Sequence, residues 1–192
     1  GTTVTERIIG TAYPRHFNKP IAEAMHENIR AVGMPEWSED DQAFARAFQE
    51  FMDADEITGL KTEVEELGEP REEPKSGGSD DIGDVSWNVP TVTLRFPSNI
   101  DGRTGHHWSS AIAMATPVAH KGAVAGAKVI AATTLDLLQN PALVDEAWTY
   151  FREEQTAEES YVPFIGADDP PAIEKNSGIM ARYKDALQPF YY

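Results

Sequence analysis

The sequence predicts an α/β domain, and three patterns carry that expectation. Residues 2–13 (TTVTERIIGTAY) and 89–96 (VPTVTLRF) are rich in β-branched residues set among polar ones, the signature of strands. Apolar residues recur at helical spacing over 21–32, 44–52 and 118–138. The two kinds of segment interleave along 192 residues, the length of one domain or slightly more and enough to bury a real core.

The elements follow in order. After the first strand, Pro14 and Pro20 bound a break (PRHFNKP). Pro20 suits the first turn of a helix capped by Asn18 or Lys19, because its ring presets φ and its missing N–H would be unpaired there anyway. Ile21, Met25, Ile29 and Val32 form the buried face and Gly33 closes the helix. Ser38 opens a second helix, with Asp41 three residues on as a near capping box and Phe44, Phe48, Phe51 and Met52 as its apolar stripe. Residues 53–78 are acidic and broken by Gly and Pro, which reads as an exposed loop with one short element around 62–67. The strand at 89–96 begins at Pro90, an edge or entry position. A turn at Asp101-Gly102 leads to a third strand over 108–115, where Trp108, Ser110, Ile112 and Met114 share one side.

Residues 118–138 form a long Ala-rich helix with Val124, Ala127, Ile130, Ala131, Leu135 and Leu138 on its buried stripe. Gly122 and Gly126 each cost such a helix roughly 1 kcal/mol against Ala, which makes sense where another backbone packs close. Asn140-Pro141 opens a last helix through Phe151, and the Pro- and aromatic-rich tail from Ser160 wraps the surface.

Charge narrows the partners. The chain has 32 acidic and 16 basic residues, a net charge of −16, so its surface repels phosphate backbones and anionic headgroups. Nucleic acid and membrane are therefore not expected as partners. There is no cysteine, which removes disulfide and thiolate chemistry. No apolar run approaches the ~20 residues that span a bilayer. No signal peptide pattern is visible, a cytoplasmic placement is expected, and a start at Gly1 rather than Met reads as a processed or cut product.

Two stretches carry candidate chemistry. In SDDIGD, Asp80, Asp81 and Asp84 stand around a glycine turn, where carboxylates can converge on a hard cation. The spacing is not that of a helix–loop–helix calcium site, and a solvated acidic turn is the commoner outcome. In GHHWSS, His106 and His107 are adjacent, so on a strand they point to opposite faces and one of them reaches a given metal. A histidine at a strand mouth is well held for coordination. His26 lies off its helix's apolar stripe and reads as exposed, while His16, in the Pro-bounded turn, is a substrate contact or nothing. There is no phosphate loop, no serine elbow and no two-histidine zinc helix. A catalytic zinc site needs three protein ligands and an open position, and spacing alone supplies part of such a set.

Taken together, GSDDIGDVSWNVPTVTLRFP, then HHW, then AHKGAVAGAKVIAATTLDLL, resemble the C-terminal part of amidohydrolases of the p-aminobenzoyl-glutamate hydrolase type, within the aminoacylase and carboxypeptidase family of two-metal peptidases. The matching residues are Ser79, Asp81, Gly83, Asp84, Val85, Ser86, Trp87, Pro90 and Thr91, then His106 and Trp108, then Ala119, His120, Lys121 and Gly122. The resemblance implies a mainly parallel sheet flanked by helices. Residues 1–18 would end a lid (dimerisation) domain, with Asn18 at the hinge, and 19–192 would be the C-terminal part of the catalytic domain. It implies that His106 is the last metal ligand, or His107 if the turn is shifted, and that Asp81 and Asp84 lie near the site as structural or ligand-orienting residues.

The implied cofactors are two divalent ions, manganese or zinc. The implied reaction is hydrolysis of an N-acyl or N-aroyl amino acid such as p-aminobenzoyl-glutamate, in which the ions acidify a bridging water and a glutamate deprotonates it. The family's other ligands and that glutamate match nothing here, so the expected partner is a missing N-terminal half or a second subunit. The parent protein is expected to be a homodimer or hetero-oligomer. A non-catalytic binding or structural subunit that completes a partner chain is the alternative.

Overall fold

In the computed structural model, which describes residues 1–69, 80–102 and 105–190, the chain is helical, and among these residues no strand forms. This corrects the expectation of an α/β domain with a mainly parallel sheet. A strand is defined by its neighbour, since only a ladder satisfies the N–H and C=O groups of an extended chain. Residues 2–13 lie exposed without regular structure. Residues 89–96 are likewise irregular, and the Asn18 N–H, donating to the Thr91 carbonyl at 2.9 Å, ties them to the N-terminal arm.

Helix α1 (Lys19–Val32) starts where its cap requires. Asn18 accepts from the Ile21 N–H, Pro20 occupies the first turn, and Gly33 ends it at φ 72° with its N–H on the Ile29 carbonyl. Its buried face includes Ile21, Met25 and, contrary to expectation, His26, whose Nε2 accepts from Arg30 Nε at 3.0 Å. The neighbouring Arg30 thus satisfies a polar ring that burial would otherwise penalise.

Helix α2 (Glu39–Phe51) has a complete capping box: the Ser38 N–H donates to Asp41 at 2.8 Å, and the Asp41 N–H to Ser38 Oγ at 3.2 Å. Its core side is Ala45, Phe48 and Gln49, whereas Phe44 and Phe51 are exposed, so the expected phenylalanine stripe is corrected to Phe48 alone of the three. Gln42 and Gln49 share that face. Gln42 uses both ends of its amide on the Leu60 backbone and Gln49 on the Gly59 backbone, holding the irregular segment 53–69 against α2 beside the apolar contact of Leu60 with Ala45 and Phe48. No short element forms at 62–67.

Helix α3 (Ile82–Ser86) is one turn within the acidic motif. Helix α4 (Trp108–Met114) replaces the third expected strand. His107 caps it, and Ser109 and Ala113 are buried four residues apart, a helical repeat that alternation over so short a segment does not distinguish from a strand. Helix α5 (Pro117–Gln139) is the spine and packs against α1, α4 and α6 (Pro141–Tyr150). Beyond α6 comes one π-helical turn at Phe151–Gln155, and past an irregular stretch a short 3₁₀ turn and the exposed helix α7 (Ser177–Leu187). The tail beyond Ser160 thus includes a helix that the sequence pattern does not announce.

The core joins Ala45, Phe48, Leu60, Ile100, Ala113 and Val118, flanked by Trp37 and Met52. Helix α5 presents an unexpected face to its neighbours: Ala119, Gly122, Gly126, Val129 and Thr133 are buried, whereas Val124 is 56% and Leu138 74% exposed. The inversion has a steric cause. A Cβ on Gly122 would lie 2.2 Å from the Pro97 carbonyl oxygen, and one on Gly126 2.7 Å from the Phe96 ring. The close backbone approach expected of these glycines is present at Gly122, while at Gly126 the neighbour is the Phe96 side chain; together they leave no room for the larger stripe residues on that side.

Candidate functional site

The acidic motif is held by the N-terminal arm. Asp80 Oδ1 accepts from the Ile82 N–H at 3.1 Å, and its carboxylate lies 3.7 Å from the Arg15 guanidinium. Asp81 is exposed at the start of α3, where its carbonyl receives the Val85 N–H. Asp84 is half-buried: Oδ1 accepts from the Tyr161 hydroxyl at 2.8 Å, and Oδ2 lies 3.4 Å from the Tyr13 N–H. That bond makes Tyr161 hold its proton more tightly than a free tyrosine, because ionisation would set a phenolate against a carboxylate. Gly83 is required here, since a Cβ would lie 1.9 Å from the Tyr13 carbonyl oxygen. Ser86 is fully buried; its Oγ donates to the Gly83 carbonyl at 2.7 Å and faces the His16 N–H at 3.4 Å. The Trp87 indole donates to the Pro14 carbonyl at 2.9 Å and meets His16 edge to face, ring centres 4.6 Å apart. Ser79, the first residue of the motif, lies outside the described residues.

Asn18, fully buried, ties this junction to the helices. Its Oδ1 caps α1, and its Nδ2 donates to the Ala147 carbonyl and to Gln155 Oε1, both at 2.9 Å. Gln155 in turn bonds His16 Nδ1. The other ring nitrogen, Nε2, is buried with no hydrogen-bond partner among the described residues, and burial lowers the imidazole's proton affinity. Tyr13 extends the junction outward, stacking on Phe164 and donating to the Val162 carbonyl. Sequence reasoning leaves His16 open and does not reach Tyr13, Gln155 or Tyr161. The Pro-bounded PRHFNKP turn is the available signal for His16; the π-helical turn that aims Gln155 has none.

The histidine pair lies elsewhere. His106 is exposed, at φ 53°, a left-handed backbone that histidine adopts more readily than branched residues. His107 is half-buried as the cap of α4, its Nδ1 3.4 Å from the Ser109 N–H and 3.0 Å from Ser109 Oγ. Asp80 and Asp84 therefore meet the arm, Asp81 stands exposed at the start of its own helix, and His107 meets its own helix. Among the described residues no group of three or more histidine, aspartate or glutamate side chains is arranged to hold a metal ion. The described residues of this chain thus do not by themselves fit a two-metal centre, and no reaction step is derived through one.

Two polar residues of the AHKG stretch have plain surroundings. His120 is exposed on the first turns of α5. Lys121 donates to Asp41 at 2.5 Å and to the Glu36 carbonyl at 3.0 Å, binding α5 to the start of α2 and holding the Asp41 carboxyl below the usual aspartate range. A groove of about 570 Å³ runs between α1, the 59–68 segment, residues 94–97 and α5, with Ile29, Trp37, Leu60, Phe96 and Val129 among its walls. Neither histidine of the pair and neither Asp81 nor Asp84 lines it.

No helix among the described residues is long and apolar enough to cross a membrane. No family model matches the chain, and no solved structure matches it. A curated protein does: one of the subunits of p-aminobenzoyl-glutamate hydrolase from Escherichia coli (strain K12), 26% identical over an alignment of 151 positions that takes in 67% of this chain. The match covers 31% of that relative, so the chain spans about a third of its length. The relationship that the DDIGDVSW, HHW and AHKG stretches suggest is thus supported: the chain is a distant, partial relative of that hydrolase subunit's family.

Proposed function

We propose that the chain is part of a metal-dependent amidohydrolase that cleaves the amide bond of an N-acyl or N-aroyl amino acid, p-aminobenzoyl-glutamate being the first substrate to try. The observation that carries this reading is the likeness to a subunit of a hydrolase named for that substrate. In this reading the chain contributes His106 as one metal ligand from an exposed turn, and residues outside it contribute the rest. Manganese and zinc both suit an imidazole ligand set completed by carboxylates. Asp84 fastens the N-terminal arm and the tail, Asp81 stays exposed at the start of α3, and His107 fixes the helix that follows the ligand. Residues 1–18 would then be the end of a lid and 19–192 the closing part of the catalytic domain, in an oligomeric parent.

The test measures bound manganese and zinc, and release of p-aminobenzoate from p-aminobenzoyl-glutamate, for the chain alone and for the chain extended by the coding sequence upstream of Gly1. Metal uptake and hydrolysis by the extended chain, both lost in His106→Ala, support the reading. An extended chain that binds metal and hydrolyses the amide equally well with Ala at 106 refutes the role of His106.

A second reading, a non-catalytic binding or structural subunit, is favoured by the lack of a metal-sized cluster among the described residues. An extended chain that takes up no metal, yet forms a stable complex with a hydrolase subunit, would establish it.

A further inference from the structure

The network around His16 is wired for one protonation state. Asn18 fixes its direction. Its Oδ1 accepts from the Ile21 N–H and its Nδ2 donates to the Ala147 carbonyl, so the amide cannot be reversed without losing both bonds. The atom of Gln155 that faces Asn18 Nδ2 must then be the acceptor, Oε1, which turns the Gln155 Nε2 donor towards His16. His16 Nδ1 therefore accepts, and the neutral ring carries its proton on Nε2. Protonation would add a hydrogen at Nδ1 and set N–H against N–H. Turning Gln155 over would relieve that clash, and would bring its NH₂ against the Nδ2 donor of Asn18. The conflict moves one link along and does not vanish.

We propose that His16 is a proton-sensitive latch: neutral, it holds the N-terminal arm to the π-helical turn through both bonds of Gln155, and protonated, it costs Gln155 one of those two bonds. The Tyr13–Val162 bond joins the tail to the arm and the Tyr161–Asp84 bond joins it to the acidic motif, so release at Gln155 loosens the segment from 151 to 164 against both. The charged and titratable groups on the elements packed around His16 are Arg15 with Asp80, Asp81 and Asp84 on the motif, Arg152, Glu153 and Glu154 on the π-helical turn, and Tyr13 and Tyr161. Burial, which opposes the imidazolium, sets the direction of the His16 shift. The proposal does not depend on the hydrolase reading.

The experiment follows the His16 ring and the Asn18 side-chain amide by NMR from pH 8 to pH 5 in the full chain, in Gln155→Glu and in His16→Phe. In the native chain, His16 is expected to titrate below the ordinary histidine value of 6.5, with the Asn18 amide resonance moving in step. Gln155→Glu offers an acceptor to both neighbours, so the His16 midpoint rises and the Asn18 amide stays put. His16→Phe keeps the ring packing and removes the pH response of Asn18. A native His16 midpoint at or above 6.5, or an Asn18 response that persists in His16→Phe, overturns the proposal.

Discussion

The arm junction and the histidine turn are opposites. Around Asn18, His16 and Asp84, three distant parts of the chain meet, and each carboxamide and carboxylate has a partner within the chain. At Gly105–His107 the backbone turns outward, and His106 is exposed on a left-handed residue. Both regions take in residues of the stretches that resemble the hydrolase subunit. Composition does not distinguish them, for each offers imidazole and neighbouring polar groups. Closure does: the first region commits its polar groups to holding the fold, and the second keeps its ring available.

The largest effects should come from two close backbone approaches, one at the junction and one on α5. Gly122→Ala sets a Cβ 2.2 Å from the Pro97 carbonyl, and Gly83→Ala sets one 1.9 Å from that of Tyr13. Each is expected to cost about 1–3 kcal/mol in urea unfolding, despite the better helix propensity of Ala. Gly178→Ala on α7, with nothing within 4 Å of the added Cβ, should instead be neutral or stabilise by up to ~1 kcal/mol. Next comes Asn18→Ala, which removes a helix cap and two buried bonds, for a loss of about 2–3 kcal/mol by the same assay. Asp41→Ala removes the capping box and the Lys121 bond; as Lys121 is partly solvated, about 1–2 kcal/mol is expected.

Acid titration sharpens the same contrast. The Asp41 carboxyl is depressed in the folded chain, so its contribution is present above the ordinary aspartate value of 3.8 and fades as pH falls through its lower folded value. His16 works in a different window. Its folded proton affinity is lowered, so below about 6.5 the unfolded chain takes up a proton that the folded chain resists, and stability falls with falling pH. Thermal unfolding of the native chain should therefore weaken between pH 7 and pH 5, and less so in His16→Phe. The smallest effect belongs to the histidine turn: His106→Ala, at an exposed site, should change stability by no more than about 0.5 kcal/mol.

What is legible in the sequence is local. Asn18, Pro20 and Gly33 bound α1, Ser38 and Asp41 open α2, and Asn140 with Pro141 opens α6, because a cap is written within four residues of the bond it makes. Residues 89–96 have a strand's composition but no strand beside them among the described residues, and a ladder is a property of two segments. The α5 stripe is misread from the sequence because hydrophobicity favours Val124 and Leu135, whereas contact distance favours Gly122 and Gly126. At the site, the candidate residues are visible as residue types. The cap formed by His107 is local, whereas the clasp formed by Asp84 depends on Tyr13 and Tyr161, partners over 70 positions away.

The most direct test pairs Asp84→Ala with His106→Ala, scoring thermal stability in the chain and metal content in its upstream-extended form. The account predicts that Asp84→Ala lowers stability by about 1–2 kcal/mol and leaves metal content intact, while His106→Ala leaves stability intact and depletes metal. Metal loss in Asp84→Ala at unchanged stability, with full metal retained in His106→Ala, would contradict it.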